Sequence, residues 1–347
     1  YVRWEYEMKK KTVTTLNSVR ELIHNFWGPD EEAMAAARAR EPKLTKPKGS
    51  LGRLEEISEW LAGWQGKHPA QINLPRVIIF AGSHGITSQN VSAFPTEVNR
   101  QMIANFQGGG AAINQLCKVF DIELKIMETA LEIPTRDFSR EPAMDDGDCA
   151  EAVAFGMSGP DMEIDVLCIG EMGIGNTTAS AAICHALYGG EASDWVGPGT
   201  GVTGKELENK IRIVKESVML HKAVLADSLE ILRCFGGREM AAICGAIIAA
   251  RLSQIPVLLD GYVVCSAAAV LHSIDSHALD HCLVAHVSAE PGHRHLLEEI
   301  NKIPLLDLGM RLGEGSGAAL AIGILRSAVA CHTGMATFEE AAVNNKI

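Results

Sequence analysis

The sequence predicts an α/β protein: a doubly wound, parallel, Rossmann-like sheet with a smaller helical domain built from the N- and C-terminal segments. Three observations carry this. Short continuous apolar runs such as RVIIFAG (76–82) and DVLCIG (165–170) read as strands covered on both faces. Stretches of helical spacing alternate with them, as parallel sheets require. The strands also end in polar or Gly-rich turns that lead into helices, and the carboxyl edge of such a sheet is where ligands bind.

The elements follow in order. Residues 1–14 are read as a tail, upstream or appended. They contain a basic start (Met8–Lys11) with no apolar segment behind it, so no signal peptide is expected. Leu16, Val19, Leu22 and Ile23 make a helical stripe, and EEAMAAARAR continues the helical pattern to residue 40. Pro47 and Gly49 turn the chain, Ser50 can cap, and 51–64 return to helix. The strand 76–82 ends on Ser83 and His84. Pro95 is expected to open a helix through Ile103, broken at Gly108–Gly110 and followed by a second helix to Phe120. The strand 122–128 and a polar loop 129–150 follow, with a helix over 150–157. The strand 165–170 runs into Glu171, a turn at Gly173 and Gly175, and a helix starting at Asn176. Residues 206–233 read as helical, and REMAAICGAIIAARL as a fully buried helix. Asp260 ends the next strand. LVAHVSAEPGH (283–293) gives a strand and a turn with Ser288 and Glu290, followed by a helix over 293–301. A last helix runs to about Thr333. The small helical domain is expected to comprise 15–65 and 320–347, and the catalytic α/β domain 66–319.

Composition narrows the function. The 347 residues are 47% hydrophobic, enough for a large core. The net charge of −12 leaves no basic footprint for nucleic acid. Any anionic substrate must be held by local donors. Nine scattered cysteines without a CxxC read as buried thiols in a reducing compartment, hence a cytoplasmic protein. AAICGAIIAA is too short to cross a bilayer, so no membrane association is expected.

The strongest chemical signal is DLGMRLGEGSGAALA (307–321). Glu314 stands between two glycines before a small-residue helix start, a place suited to an anion and to a carboxylate of raised pKa. A solvated first-turn glutamate is the plain alternative. A GxGxxA dinucleotide fingerprint at 313–318 fails for want of a following βαβ unit. GEMGIGNTT repeats the logic around Glu171. Gly199-x4-Gly204-Lys205 approaches a P-loop, but Glu206 replaces the Mg²⁺-binding hydroxyl. His272, His277, His281 and His286 give one i,i+4 pair but no HExxH. There is no GxSxG. The strand-end set His84, Glu171, Asp260, Ser288 and Glu314, beside several Gly-rich helix starts, points to group transfer on a phosphorylated sugar.

Eight motifs occur in order: KPKGSLGRLE, GSHGI, VSAFPTEV, GEMGIGNTTASAA, GPGTGV, LLDGY, HVSAEPGH and GMRLGEGSGAALA. Over about residues 15–340 the chain resembles the nicotinate-nucleotide–dimethylbenzimidazole phosphoribosyltransferase family. The resemblance implies transfer of the 5-phosphoribosyl group of nicotinate mononucleotide to 5,6-dimethylbenzimidazole, with inversion from β to α, in cobalamin nucleotide-loop assembly. It implies Glu314 as catalytic base and Glu171 as a second active-site carboxylate. Gly173, Asn176, Thr177, Thr178, Gly199, Thr200, Gly201 and Lys210 would hold phosphate or ribose, and Asp260 and Ser288 would line the donor side. Ser83, His84, Phe94, Pro95, Met310, Arg311 and Leu312 would border the base. No metal or organic cofactor is implied, and the assembly would be a homodimer acting on small molecules. Two departures stand out: Ser83 where many members have Asp, and Lys48 in place of a proline. Competing readings are the same chemistry on another base (another benzimidazole, adenine or a phenol), a metal-dependent hydrolase using His84 and the 272–286 histidines, and a non-catalytic nucleotide-binding module.

Overall fold

The computed structural model describes residues 13–161 and 163–344. The expected tail at 1–14 thus falls almost wholly outside the described residues.

In chain order the elements are α1 (Leu16–Ile23), α2 (Glu31–Arg40), α3 (Arg53–Gln65), β1 (Pro75–Ala81), α4 (Val98–Gly108), α5 (Ala112–Val119) and β2 (Glu123–Glu128). Then come α6 (Asp146–Met157), β3 (Val166–Met172), α7 (Asn176–Tyr188), the single turn α8 (Ala192–Trp195), α9 (Gly204–Leu220) and α10 (Ser228–Phe235). The chain continues through α11 (Arg238–Leu252), β4 (Val257–Leu259), α12 (Tyr262–Ile274), β5 (Cys282–Val284), α13 (Pro291–Glu299) and α14 (Ser316–Gly334).

The strands form one parallel sheet in the order β2-β1-β3-β4-β5. The order reverses between β1 and β3, and the crevice beyond their carboxyl ends is the ligand position of such sheets. Every residue of β3 is buried, which is why DVLCIG carries no polar alternation. Side chains alternate between two cores. Ile78, Phe80, Leu167, Ile169, Val257 and Leu259 face one, with α6, α7, α11 and α12. Val77, Ile79, Cys168 and Leu258 face the other, with α3, α5 and α14. The apolar stripe of α1 packs on α6 in the first core.

α11 is buried from Glu239 to Leu252. It crosses α6 at glycines: a Cβ on Gly156 would run into the Ala242 carbonyl, and one on Gly245 into the Val153 carbonyl. α14 is long and apolar enough to cross a membrane by length and composition alone, yet it packs on β1, β3, β4, α3 and α5. All nine cysteines are free, eight of them buried.

Several boundaries differ from expectation. The helix expected from Pro95 begins at Val98, because 92–93 are tied to Thr200 instead (Ser92 Oγ to Thr200 Oγ1 3.0 Å, Ala93 N–H to the same oxygen 3.2 Å). The helix expected from 150 begins at Asp146. Asp145 accepts the Asp148 N–H at 2.8 Å, so the acidic run is a capped helix start and not loop. The helix expected over 206–233 is broken after Leu220, and Asp227 caps α10 while pairing with Arg20 at 2.8 Å. Ser50 does not cap α3, whose N-cap is Gly52. The His277–His281 stretch is a run of turns and not a helix.

Candidate active site

Asp260, at the end of β4, is fully buried. Its Oδ2 accepts the Gly315 N–H at 3.0 Å and its Oδ1 the Ala318 N–H at 2.9 Å. The open donors at the start of α14 are thus satisfied by the protein's own anion. This anchors three consecutive left-handed residues, Gly313, Glu314 and Gly315, at φ +80°, +61° and +76°. For a glutamate that conformation is strained by about 1–3 kcal/mol. Backbone packing supports it as well, since a Cβ on Gly170 would run into the nitrogen of Gly315. Glu314 thereby points into a cavity of about 370 Å³ at the carboxyl edge of the sheet.

The cavity has three kinds of wall. Phe94, Val98, Met102 and Leu312 make an apolar side. Glu171 and Glu314 supply carboxylates. Thr177, Gly199, Thr200, Ser288, Glu290 and Arg311 make a polar end. This mix of apolar surface and a few convergent polar groups is that of a small-molecule site.

Both carboxyls are displaced upward. Burial, then the nearby Asp260, Glu239 and Glu314, pushes Glu171 up to about 8, against a hydrogen bond donated by Asn176 Nδ2. Burial, then Asp260, pushes Glu314 up to about 7. Near neutrality Glu314 ionises first and Glu171 keeps its proton. Asp260 is itself raised by burial, while His286 and the N–H groups of α14 hold it down. Lys210 is fully buried and lowered to about 8 by burial; its Nζ donates to Thr177 Oγ1 (2.9 Å) and the Gly197 carbonyl (3.0 Å).

Of the residues singled out from sequence, Glu314, Glu171, Gly173, Asn176, Thr177, Gly199, Thr200, Ser288, Phe94, Arg311 and Leu312 line this one cavity. Others do not reach its wall. Thr178 is fully buried with an unpartnered hydroxyl, and Lys210 sits behind Thr177. Asp260 lies behind the Glu314 turn, Gly201 and Pro95 are exposed, and the Met310 carbonyl accepts the Ala289 N–H at 2.9 Å. Ser83 donates to the Leu131 carbonyl at 2.7 Å and faces a separate surface hollow. His84 pairs at 2.5 Å with Glu239, and both are sealed from solvent. The 272–286 histidines are dispersed. His281 is buried against the Ile247 carbonyl (3.0 Å), His277 is exposed beside Asp280, and His286 alone lines the cavity. Among the described residues no group of His, Cys, Asp and Glu is arranged to hold a metal.

Sequence reasoning missed His286, Glu290, Tyr262, Val98 and Met102 as wall residues. His286 Nδ1–H donates to the Val287 carbonyl (3.1 Å), and its Nε2 lies 3.6 Å from Asp260 Oδ1. Val98 and Met102, one turn apart, were a readable apolar stripe beside Phe94. Glu239, in the first turn of α11 after Gly236–Gly237, gave no signal, because the stretch read only as the start of a buried helix.

Comparison with known proteins gives the family of the chain. Residues 27–343 match the sequence model of a family described as Phosphoribosyltransferase. A nicotinate-nucleotide–dimethylbenzimidazole phosphoribosyltransferase of Methylocella silvestris is 58% identical over 332 residues, 96% of this chain and 97% of its own length. That of Brucella anthropi is 58% identical over 325 residues, covering 94% and 96%. The crystal structure of CobT from Thermus thermophilus superposes with a TM-score of 0.84 at 36% identity, covering 91% of this chain and all of that one.

Proposed function

The chain belongs to the nicotinate-nucleotide–dimethylbenzimidazole phosphoribosyltransferase family, and from that premise we propose that it moves the 5-phosphoribosyl group of nicotinate mononucleotide to 5,6-dimethylbenzimidazole with Glu314 as general base. The observation that carries this assignment is the Glu314 carboxyl itself. It is held in a strained turn, faces the cavity and is pushed up to about 7, where a base of physiological use should titrate. The acceptor base lies against Phe94, Val98, Met102 and Leu312. One ring nitrogen attacks the anomeric carbon from the face opposite nicotinate, while the proton on the other nitrogen passes to Glu314. The bond to the pyridinium nitrogen breaks, its electron pair stays on that nitrogen, and nicotinate leaves without needing a proton. Back-side attack inverts β to α.

Glu171 keeps its proton near neutrality, so it adds no second charge beside Glu314. The phosphate takes the polar end, with Thr177, Gly199, Thr200 and Ser288 as donors and Lys210 behind them. Asp260 serves from behind the wall, as the anchor of the Glu314 turn.

The test is nicotinate release from nicotinate mononucleotide, with and without dimethylbenzimidazole, for the wild type and Glu314→Gln. Release that depends on the base and drops by about 10²–10⁴-fold in the variant is expected. Base-dependent release surviving at full rate in Glu314→Gln removes Glu314 from this role. Phe94 and Leu312, 51% and 54% exposed at the cavity mouth, suit cover by a second copy, and a homodimer is the assembly we propose.

A further inference from the structure

Glu290 stands where the substrate's phosphate is expected. It is 5% exposed and lines the polar end of the cavity just before α13. Its Oε1 accepts the Gly199 N–H at 2.9 Å. Gly199 belongs to the loop whose N–H groups a phosphate would claim. Arg311 Nη1 holds the carbonyl of the same glycine at 3.0 Å. The second oxygen, Oε2, is buried without a partner and packs so closely on Gly197 that a Cβ there would run into it. A buried oxygen left unbonded is destabilising. An ionised Glu290 would also repel an incoming phosphate dianion.

The charged groups facing it are Lys210 of α9 and Arg311 of the loop before α14. Tyr262 of α12 directs its hydroxyl to the Trp195 carbonyl (2.8 Å). His293, on the helix that follows Glu290, accepts the Ser288 N–H through Nδ1 (2.8 Å).

We propose that Glu290 holds the phosphate seat in the empty protein and yields it by taking up a proton, so that the phosphorylated substrate binds together with one proton. The inference rests on the phosphoribosyl-transfer reading. The step is a protonation only: a proton from solvent joins the carboxylate, the Gly199 N–H passes to a phosphate oxygen, and the new O–H can donate to the phosphate. No other covalent bond changes. Lys210 stays charged and becomes the counter-ion of the phosphate. Burial already pushes the Glu290 carboxyl up, against Lys210, the Gly199 N–H and Arg311.

The test is calorimetric binding of nicotinate mononucleotide, without acceptor base, from pH 6 to 8. Wild type is compared with Glu290→Gln, and nicotinate riboside serves as the ligand without phosphate. One linked proton weakens wild-type binding by up to about tenfold per pH unit above the Glu290 pKa. The glutamine copies the neutral acid, so the variant should bind the mononucleotide more tightly than wild type, by a margin that widens with pH by up to about tenfold per unit. The two should draw together as pH falls and bind the riboside alike. Losing Glu290 also eases Lys210 toward its neutral form, which opposes this gain and cannot produce it. Weaker binding by the variant across the range would overturn the proposal, since a purely structural role predicts that. If the variant does not fold, wild type is read from pH 6 to 7, below the range in which Lys210, at about 8, gives up its charge. A weakening there confined to the mononucleotide supports the proposal, and an equal dependence for the riboside, or no dependence, overturns it. Failure of wild type to bind either the mononucleotide or inorganic phosphate brings down the phosphoribosyl reading and this proposal with it.

Discussion

Replacing Asp260 with Asn separates the two jobs assigned to that carboxylate. Its two oxygens each take a different N–H at the start of α14, at 3.0 and 2.9 Å. An asparagine offers one acceptor oxygen and turns an NH₂ group toward the other donor. One buried N–H is then unsatisfied, at about 1–3 kcal/mol. The left-handed Glu314 turn also loses the anchor that sustains its own strain of about 1–3 kcal/mol. The unsatisfied donor lowers stability by roughly 1–3 kcal/mol, and relaxation of the unanchored turn displaces Glu314 rather than adding its strain to that loss. The second effect is electrostatic. Burial contributes most to raising Glu314, and the Asp260 charge comes next. Glu314 must be ionised to accept a proton, so wild-type kcat at saturating substrates should rise with pH through about 7. Without the Asp260 charge the Glu314 carboxyl ionises more easily. The acid limb should move to lower pH by roughly half a unit or more, whatever happens to the plateau. The assay is kcat at saturating nicotinate mononucleotide and dimethylbenzimidazole from pH 5 to 9, alongside a thermal melt. An acid limb still centred near 7 with an unchanged melt would refute both the anchoring and the electrostatic argument.

Two further outcomes follow from the same geometry. Glu171 is raised from 4.5 to about 8, so the native state holds a proton that the unfolded chain has lost across that window. The Glu171 contribution to stability is therefore fully present below about 4.5 and is lost as pH rises toward 8, by an upper bound of roughly 5 kcal/mol. Glu171→Gln should melt increasingly above the wild type over this interval, and parallel melting curves would contradict the shift. Gly170→Ala pushes a methyl into the backbone of Glu314 and Gly315. It should destabilise by roughly 1–3 kcal/mol and lower kcat by on the order of 10²-fold through displacement of the base, so an unchanged kcat would show that the contact does not position Glu314.

Much of this site could be read from one dimension. Strand ends marked by Gly-rich turns betrayed Glu171, Gly173, Asn176 and Glu314, because local chain geometry and chemistry coincide there. Asp260 was legible as a strand-end carboxylate but not as an anchor, since its partners lie 55 and 58 residues later. His84 misled for the opposite reason: it follows β1 in the right place, yet turns inward to Glu239, 155 residues away. Glu290 was visible in its turn, but only the fold brings Gly199 and Lys210 around it. The acidic run before α6 looked like loop because a capped helix start and a solvated turn share the same residues.

The Asp260 carboxylate at the head of α14 has a consequence for how a substrate can lie. A cavity with an equally inviting anion socket at each end would admit a nucleotide in either direction, one of them unproductive. Here the socket nearest the base is permanently filled by the protein's own oxygens, while the other is lined by Thr177 and Gly199. The pocket therefore has a head and a tail before anything enters it, and under the proposed function a nucleotide led in by its phosphate would arrive with its anomeric carbon toward Glu314.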